Sequence, residues 1–164
     1  MKRIIILCYC SAIAIISNAQ QESFDLASYI PPKGWKKEAQ PVMVTYSTTD
    51  KKNNTWCQIG ILKSSASKGS IDLDFDSDWQ ELIATPYGST QAPQVNAVQD
   101  ADGWKIKGGG GSITINQSAA IVLLTTITGF NLRISIVAMT NSQDYLKSIE
   151  SFLGSLDLKK PAAA

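Results

Sequence analysis

The chain predicts an α+β fold, an antiparallel β-sheet flanked by two main helices, and three features carry that expectation. Neighbouring β-rich stretches are joined by connections of hairpin length. Two stretches, Ser70 to Ala84 and the segment after Asn141, repeat their apolar residues at helical spacing. The run Ala119 to Thr128 is apolar on both alternating faces, the pattern of a central strand covered on both sides. Strands, helix, strands, helix is the order of a sheet with helices packed on it.

The ends are set apart from this pattern. Lys2 and Arg3 precede an almost wholly apolar run from Ile4 to Ile16, followed by Ser17, Asn18, Ala19 and Gln20. Charge, apolar stretch and small-residue cleavage site is the order of a secretory signal, so residues 1–19 are expected to be removed after Ala19. The run is shorter than the roughly 20 residues of a membrane span. Leu7 before Cys8 and Tyr9 before Cys10 do not fit a lipoprotein site. At the other end, Lys159-Lys160-Pro161 and three alanines have no pattern that could pack, so 159–164 is expected to be a disordered tail or the start of a linker. Between them, 20–158 is one domain of about 140 residues, enough for a core without staples.

Within the domain, Phe24 to Ile30 is expected as the first strand, stopped by Pro31-Pro32-Lys33-Gly34 before Trp35. Val42 to Ser47 and Trp56 to Lys63 form a hairpin across the polar stretch Thr48 to Thr55. Cys57, Ile59 and Ile61 share one face of its second strand. Ser70 is the expected N-cap of a helix whose stripe is Ile71, Phe75, Trp79, Leu82 and Ile83, with Asp72, Asp74 and Asp76 near the positive end of its dipole. Thr85 to Pro93 is expected as loop. Val95 to Gln99, Trp104 to Lys107 and Ser112 to Asn116 follow as strands. Ala119 to Thr128 then turns through Gly129-Phe130-Asn131 into Leu132 to Met139. Asn141 or Ser142 caps the last helix, with Tyr145, Ile149, Phe152, Leu153 and Leu156 as its stripe.

Four of these segments carry a resemblance. The Pro-Lys-Gly-Trp turn of Pro32 to Trp35, the strand Cys57 to Leu62, the helix with Phe75 and Trp79, and the closing Ile149-Glu150-Ser151-Phe152-Leu153-Gly154-Ser155-Leu156 together resemble the PsbP/DcrB-like superfamily of secreted or lumenal α/β sandwich domains. The chain also resembles uncharacterised Gram-negative secreted proteins in which such a domain is followed by an Ala/Pro linker and a second domain. The resemblance implies an antiparallel sheet flanked by helices and non-enzymatic accessory, binding or envelope roles. It brings no catalytic residues to carry over.

The composition removes much chemistry. The chain has no histidine, which excludes Ser-His and Cys-His nucleophile pairs and the commonest metal ligand. After removal of the signal, the 15 basic residues lose Lys2 and Arg3, leaving 13 against 14 acidic and a charge of −1, so nucleic acid is not an expected partner. Cys57 becomes the lone cysteine, on an apolar strand face with no base nearby, and is expected to be buried and inert. No metal and no cofactor are expected. The run Asp72-Leu73-Asp74-Phe75-Asp76-Ser77-Asp78 has the alternation of a calcium loop, yet Ser77 and Ile83 stand where that loop needs glycine and a bidentate Glu, so a solvated acidic helix start is the expected state.

What remains points to binding. Gly108 to Gly111 leads into a β pattern rather than a helix, so a phosphate-cradling loop is not expected; a hairpin tip or close-approach loop is, with Gly109 and Gly110 as candidate contacts on a mobile binding rim. Trp56 and Trp104, on strands beside polar neighbours, are the candidate exposed aromatics for a ligand, with core or edge packing as the alternative. The expected function is a non-catalytic extracytoplasmic binding or accessory domain, monomeric, secreted or periplasmic, with an unidentified ligand or protein partner. Two alternatives stand beside it: a carboxylate-dependent, glycosidase-like hydrolase using Asp100 and Asp102, or a scaffold domain of a larger secreted protein.

Overall fold

The computed structural model describes residues 20–162; residues 1–19, on which the expected signal falls, and the last two alanines lie outside them. The described part of the proposed tail begins with an ordered bond, Lys159 N donating to Leu26 O at 2.9 Å. The chain forms β1 (Glu22–Phe24), β2 (Ala27–Tyr29), β3 (Lys36–Gln40), β4 (Met43–Asp50), β5 (Thr55–Leu62) and β6 (Ser65–Ala66). Helix α1 (Ile71–Trp79) continues through a π-helical turn, Gln80–Ala84, into α2 (Thr85–Tyr87). Then follow β7 (Gln94–Val95), β8 (Gln99–Ala101), β9 (Trp104–Ile115), β10 (Ser118–Gly129), β11 (Leu132–Thr140), α3 (Leu146–Gly154) and β12 (Asp157–Leu158). The main sheet runs β3-β4-β5-β11-β10-β9-β7 with antiparallel pairing throughout, and β1-β2-β12 makes a small second sheet. Helix α1 covers one face and α3 with the small sheet the other, an α+β sandwich. Among the described residues no helix is long and apolar enough to cross a membrane.

Two cores follow from strand alternation. Cys57, Ile59 and Ile61 of β5, Ile134 and Ile136 of β11, and Val44 and Tyr46 of β4 point toward α3, whose Ile149 and Phe152 are buried against them. Val122 and Leu124 of β10 point the other way, onto Phe75, Trp79 and Ile83 of the first helix. Ser70 caps α1 as expected, accepting from Leu73 N at 3.2 Å, and Ser142 caps the 3₁₀ turn Gln143–Tyr145 that opens α3. The β10–β11 hairpin turns on Phe130 and Asn131, both at positive φ.

Several expectations are corrected. Phe24 to Ile30 is two strands, because Asp25 at φ 53° reverses the chain and its carboxylate accepts from Ser64 N. The helix does not stop at Ala84 but ends at Gly88, a left-handed C-cap at φ 62°. Val95 to Gln99 is not one strand: β7 and β8 each pair separately with β9. Thr48 to Thr55 is half strand, with the turn confined to 51–54. Strand β3 carries no apolar alternation that would predict it, since Lys36-Lys37-Glu38-Ala39-Gln40 is exposed at every position, a charged edge that discourages further pairing.

The largest correction concerns the glycine tract. Gly108 to Gly111 is not a loop or hairpin tip; it lies in the middle of β9, paired with Thr125 through Val122 on β10. The reason is on the α1 face. A Cβ at Gly109 would lie 2.6 Å from Phe75 Cζ, and one at Gly111 3.4 Å from Trp79. Glycines let the two stacked aromatic rings, 6.4 Å apart, settle onto the strand backbone.

Cys57 is buried, and desolvation pushes its thiol up to about 12 despite a hydrogen bond with Thr140. Native protein should therefore resist thiol reagents at neutral pH, and Cys57→Ser should cost roughly 1 to 2 kcal/mol in denaturant titrations. Rapid labelling would show the strand face to be open.

Candidate functional site

Helix α3 is seated toward β4 and β5, where Phe152 meets Tyr46 at 6.2 Å and Tyr29 at 5.3 Å between ring centres. The same face of β9 and β10 is left with half-buried Ile121, Leu123 and Thr125 and with Gly108 and Gly110. Over it runs a groove made of two adjoining cavities, which share Asn96, Gly108, Thr125 and Leu153. The lower, of about 420 Å³, is bounded by Trp104, Ile127, Asp102 and the α3–β12 turn at Leu156 and Asp157. The upper, of about 690 Å³, is bounded by Gln91, Gln94, Ser112, Ile121 and Glu150. One wall is α3, the other the segment from Gln91 to Gln99.

The glycines differ in what they do here. Gly110 makes room for Leu123, whose Cδ2 would lie 2.7 Å from an added Cβ. At Gly108 an added Cβ would meet the tip of Asn96 at 3.4 Å and Leu124 O at 4.0 Å, both at ordinary contact distance. A strand glycine costs about 0.5 to 1 kcal/mol against a side chain that packs, and no protein contact demands it at this position.

Of the candidate residues, the structure brings Trp104, Gly109 and Gly110 to the groove and leaves Trp56 out of it. Trp104 is not an exposed platform, however. It is 1% exposed, its ring packed beneath Gly129 and edge-to-face with Phe130 at 5.1 Å. Its Nε1 is buried without a hydrogen-bond partner. Trp56 is half-buried against the α1-side core, and its main chain is tied to Asn141 and Thr140. Gly109 is buried under Phe75, so it contributes backbone alone.

Asp100 and Asp102 do not form a paired acid site. Both are exposed; Asp100 bonds to Lys105 at 2.7 Å, and Asp102 at φ 52° with Gly103 at φ 91° forms the tight turn of the β8–β9 hairpin. Only Asp102 borders the groove.

The solvated reading of the helix acids is also corrected. Asp72 and Asp76 are exposed, but Asp74 and Asp78 are 0% and 2% exposed and face the sheet. Asp78 accepts from Thr126 Oγ1 at 2.8 Å and Ser135 Oγ at 2.6 Å and pairs with Arg133 at 3.2 Å. Asp74 accepts from Ser67 Oγ, Thr128 Oγ1 and Lys68 N at 2.6 to 2.7 Å. Burial opposes ionisation of Asp74, but these bonds and the Arg133 charge outweigh it and hold the carboxyl below the usual range. At Asp78 burial wins over its hydroxyl donors and Arg133 and raises the carboxyl. A pair pushed apart in this way is the electrostatic form of an acid and a base. Here the oxygens are occupied by the fold itself and neither residue lines the groove, so the network is a strut between α1 and the sheet. Among the described residues no group of three or more Asp, Glu or Cys is placed to hold a metal ion.

The two shifts predict opposite pH effects. Asp74, with a lowered folded value, contributes stability that is present above its unfolded value near 3.9 and lost as pH falls through the folded one. Asp78, with a raised value, binds its proton more tightly when folded, so stability falls as pH rises from about 4 through the folded value. Denaturant midpoints across pH should lose the acid limb in Asp74→Asn and the opposite slope in Asp78→Asn.

No family model matches the chain, and no curated relative matches it. Two solved structures are similar. The solution structure of cyanobacterial PsbP (CyanoP) from Synechocystis sp. PCC 6803 is 14% identical at a TM-score of 0.57, covering 91% of this chain and 98% of that one. A crystal structure from Bacteroides thetaiotaomicron VPI-5482 is 15% identical at a TM-score of 0.52, covering 84% of this chain and 47% of that one. The chain thus spans about half the length of the Bacteroides protein. The fold is PsbP-like.

Proposed function

We propose that this chain is a non-catalytic binding or accessory domain that works outside the cytoplasm and takes its ligand in the groove between α3 and the β9–β10 face. The observation that carries the reading is Gly108, which keeps the groove floor flat although no protein contact requires glycine there. The basic and apolar N-terminal pattern supports the extracytoplasmic location, and the PsbP-like fold is compatible with an accessory role. The groove's polar groups are amides, two hydroxyls and three carboxylates, with no nucleophile beside a base, which favours binding over turnover.

Gly108→Val tests this with little damage to the fold, since a strand position gains a β-branched residue whose nearest neighbour is the flexible tip of Asn96. Its melting temperature should equal or exceed that of the parent. Amide NMR spectra of the parent titrated with a mixture of small neutral amides and polyols should shift at Asn96, Gly108, Thr125 and Leu153, and the shifts should vanish in Gly108→Val. Shifts confined instead to the cleft around Pro31, Trp35 and Lys147 would move the site there and overturn the proposal.

A further inference from the structure

We infer that the groove's ligand is an extended peptide segment carrying positive charge, laid along β9 and β10; this deepens the reading of the groove as the binding surface and rests on it. The floor extends along β9 from Trp104 to Ser112, roughly 26 Å at about 3.3 Å per residue, which is the span of seven or eight extended residues. A single small metabolite would fill only part of it.

Asp102 and Asp157 border the lower cavity and Glu150 the upper, while no lysine or arginine lines either. The lysines of β9 lie on the opposite face: Lys107 bonds to Asp72 at 2.7 Å with its ammonium over the Phe75 ring, and Lys105 bonds to Asp100. Phosphates and other anions would meet three carboxylates without a compensating cation, whereas a basic segment would be drawn in.

Gln91, Gln94, Asn96 and Gln99 line one side with amides, each able both to donate and to accept, as a peptide main chain requires. Ile121, Leu123 and Leu153 are half-buried and offer apolar seats for alternate side chains, and Gly108 lets a backbone come close. A sugar chain would want an exposed aromatic face, and the groove's tryptophan is packed edge and face into the core.

The test is fluorescence anisotropy with three labelled peptides of about eight residues, in which leucine alternates with lysine, glutamine or glutamate. The lysine peptide should bind at least about ten-fold more tightly than the glutamate peptide at low salt, and the preference should shrink as salt rises. Gly108→Val should weaken its binding about ten-fold or more without lowering the melting temperature, and Asp102→Lys combined with Glu150→Lys should reverse the charge preference. Equal binding of all three peptides, no binding of any at about 1 mM, or lysine-peptide binding indifferent to Gly108→Val would each overturn the inference. If neutral fragments still shift the groove amides while no peptide binds, the groove remains the site and the peptide class is wrong. If neither binds, the groove reading falls with it.

Discussion

Asp78→Ala is expected to destabilise the domain by about 3 to 5 kcal/mol, the largest effect of any single polar substitution in the fold. The carboxylate is 2% exposed and holds three groups from two strands: the Thr126 and Ser135 hydroxyls, and Arg133. Truncation removes the acceptor but not the donors. Two hydroxyls and the Nη1 end of a guanidinium whose side chain is only 13% exposed are then left under the helix with no partner, while Arg133 Nε still donates to Ser65 Oγ at 3.0 Å. Arg133 retains Glu81 at 3.4 Å, but that pair is half in solvent and offsets little. Denaturant titration should show the loss directly. A change below about 1 kcal/mol would mean that water reaches the site and the network is not a strut. Asp78→Asn keeps the shape and one acceptor, and should lose distinctly less.

Trp79→Ala should cost about as much, on the order of 3 to 5 kcal/mol, by a different route. The indole stacks on Phe75 and lies over Gly111, where the absence of a side chain on β9 lets it reach the strand backbone. Removing it opens a cavity with a flat glycine floor that neighbouring side chains cannot fill, because Gly109 and Gly111 have none to offer. The melting temperature should fall by about 10 °C. An unchanged midpoint would place Trp79 in solvent and break the account of why β9 carries its glycines.

Those glycines show where sequence reasoning reached its limit. Gly is depleted in strands, so four in succession suggest a loop unless the partner surface is known. The partner is Phe75 and Trp79, more than 25 residues earlier in the chain, and no local pattern connects them. Helix α1 itself was legible from Ser70 and its apolar spacing. Yet the same spacing puts Asp74 and Asp78 within the buried arc, one turn apart beside Phe75 and Trp79. The signal that could have exposed them was the matching polar interruption of apolar strands at Thr126, Thr128 and Ser135. Strand alternation correctly placed Cys57, Ile59 and Ile61 inside. The short β1–β2 hairpin and β12 escaped notice because each is held by tertiary bonds, such as Ile30 N to Ser155 Oγ and Lys159 N to Leu26 O, rather than by pattern.

The site was legible in part. Trp104, Gly109 and Gly110 do gather at one groove, but the reason given for Trp104, exposure, does not hold. The turn Asp102-Gly103 swings its ring under Phe130. The more informative glycine is Gly108, and only the space around it reveals this.

The most direct measurement of the groove's role is a crystal structure of the protein soaked with small neutral amides and with a lysine-containing dipeptide. Bound molecules should lie over Gly108, with hydrogen bonds to Asn96 and Gln94 and the lysine ammonium directed at Glu150 or Asp102. Density for these molecules only in the cleft beside Pro31 and Trp35, with the floor over Gly108 bare in every soak, would contradict the assignment of the groove as the binding site.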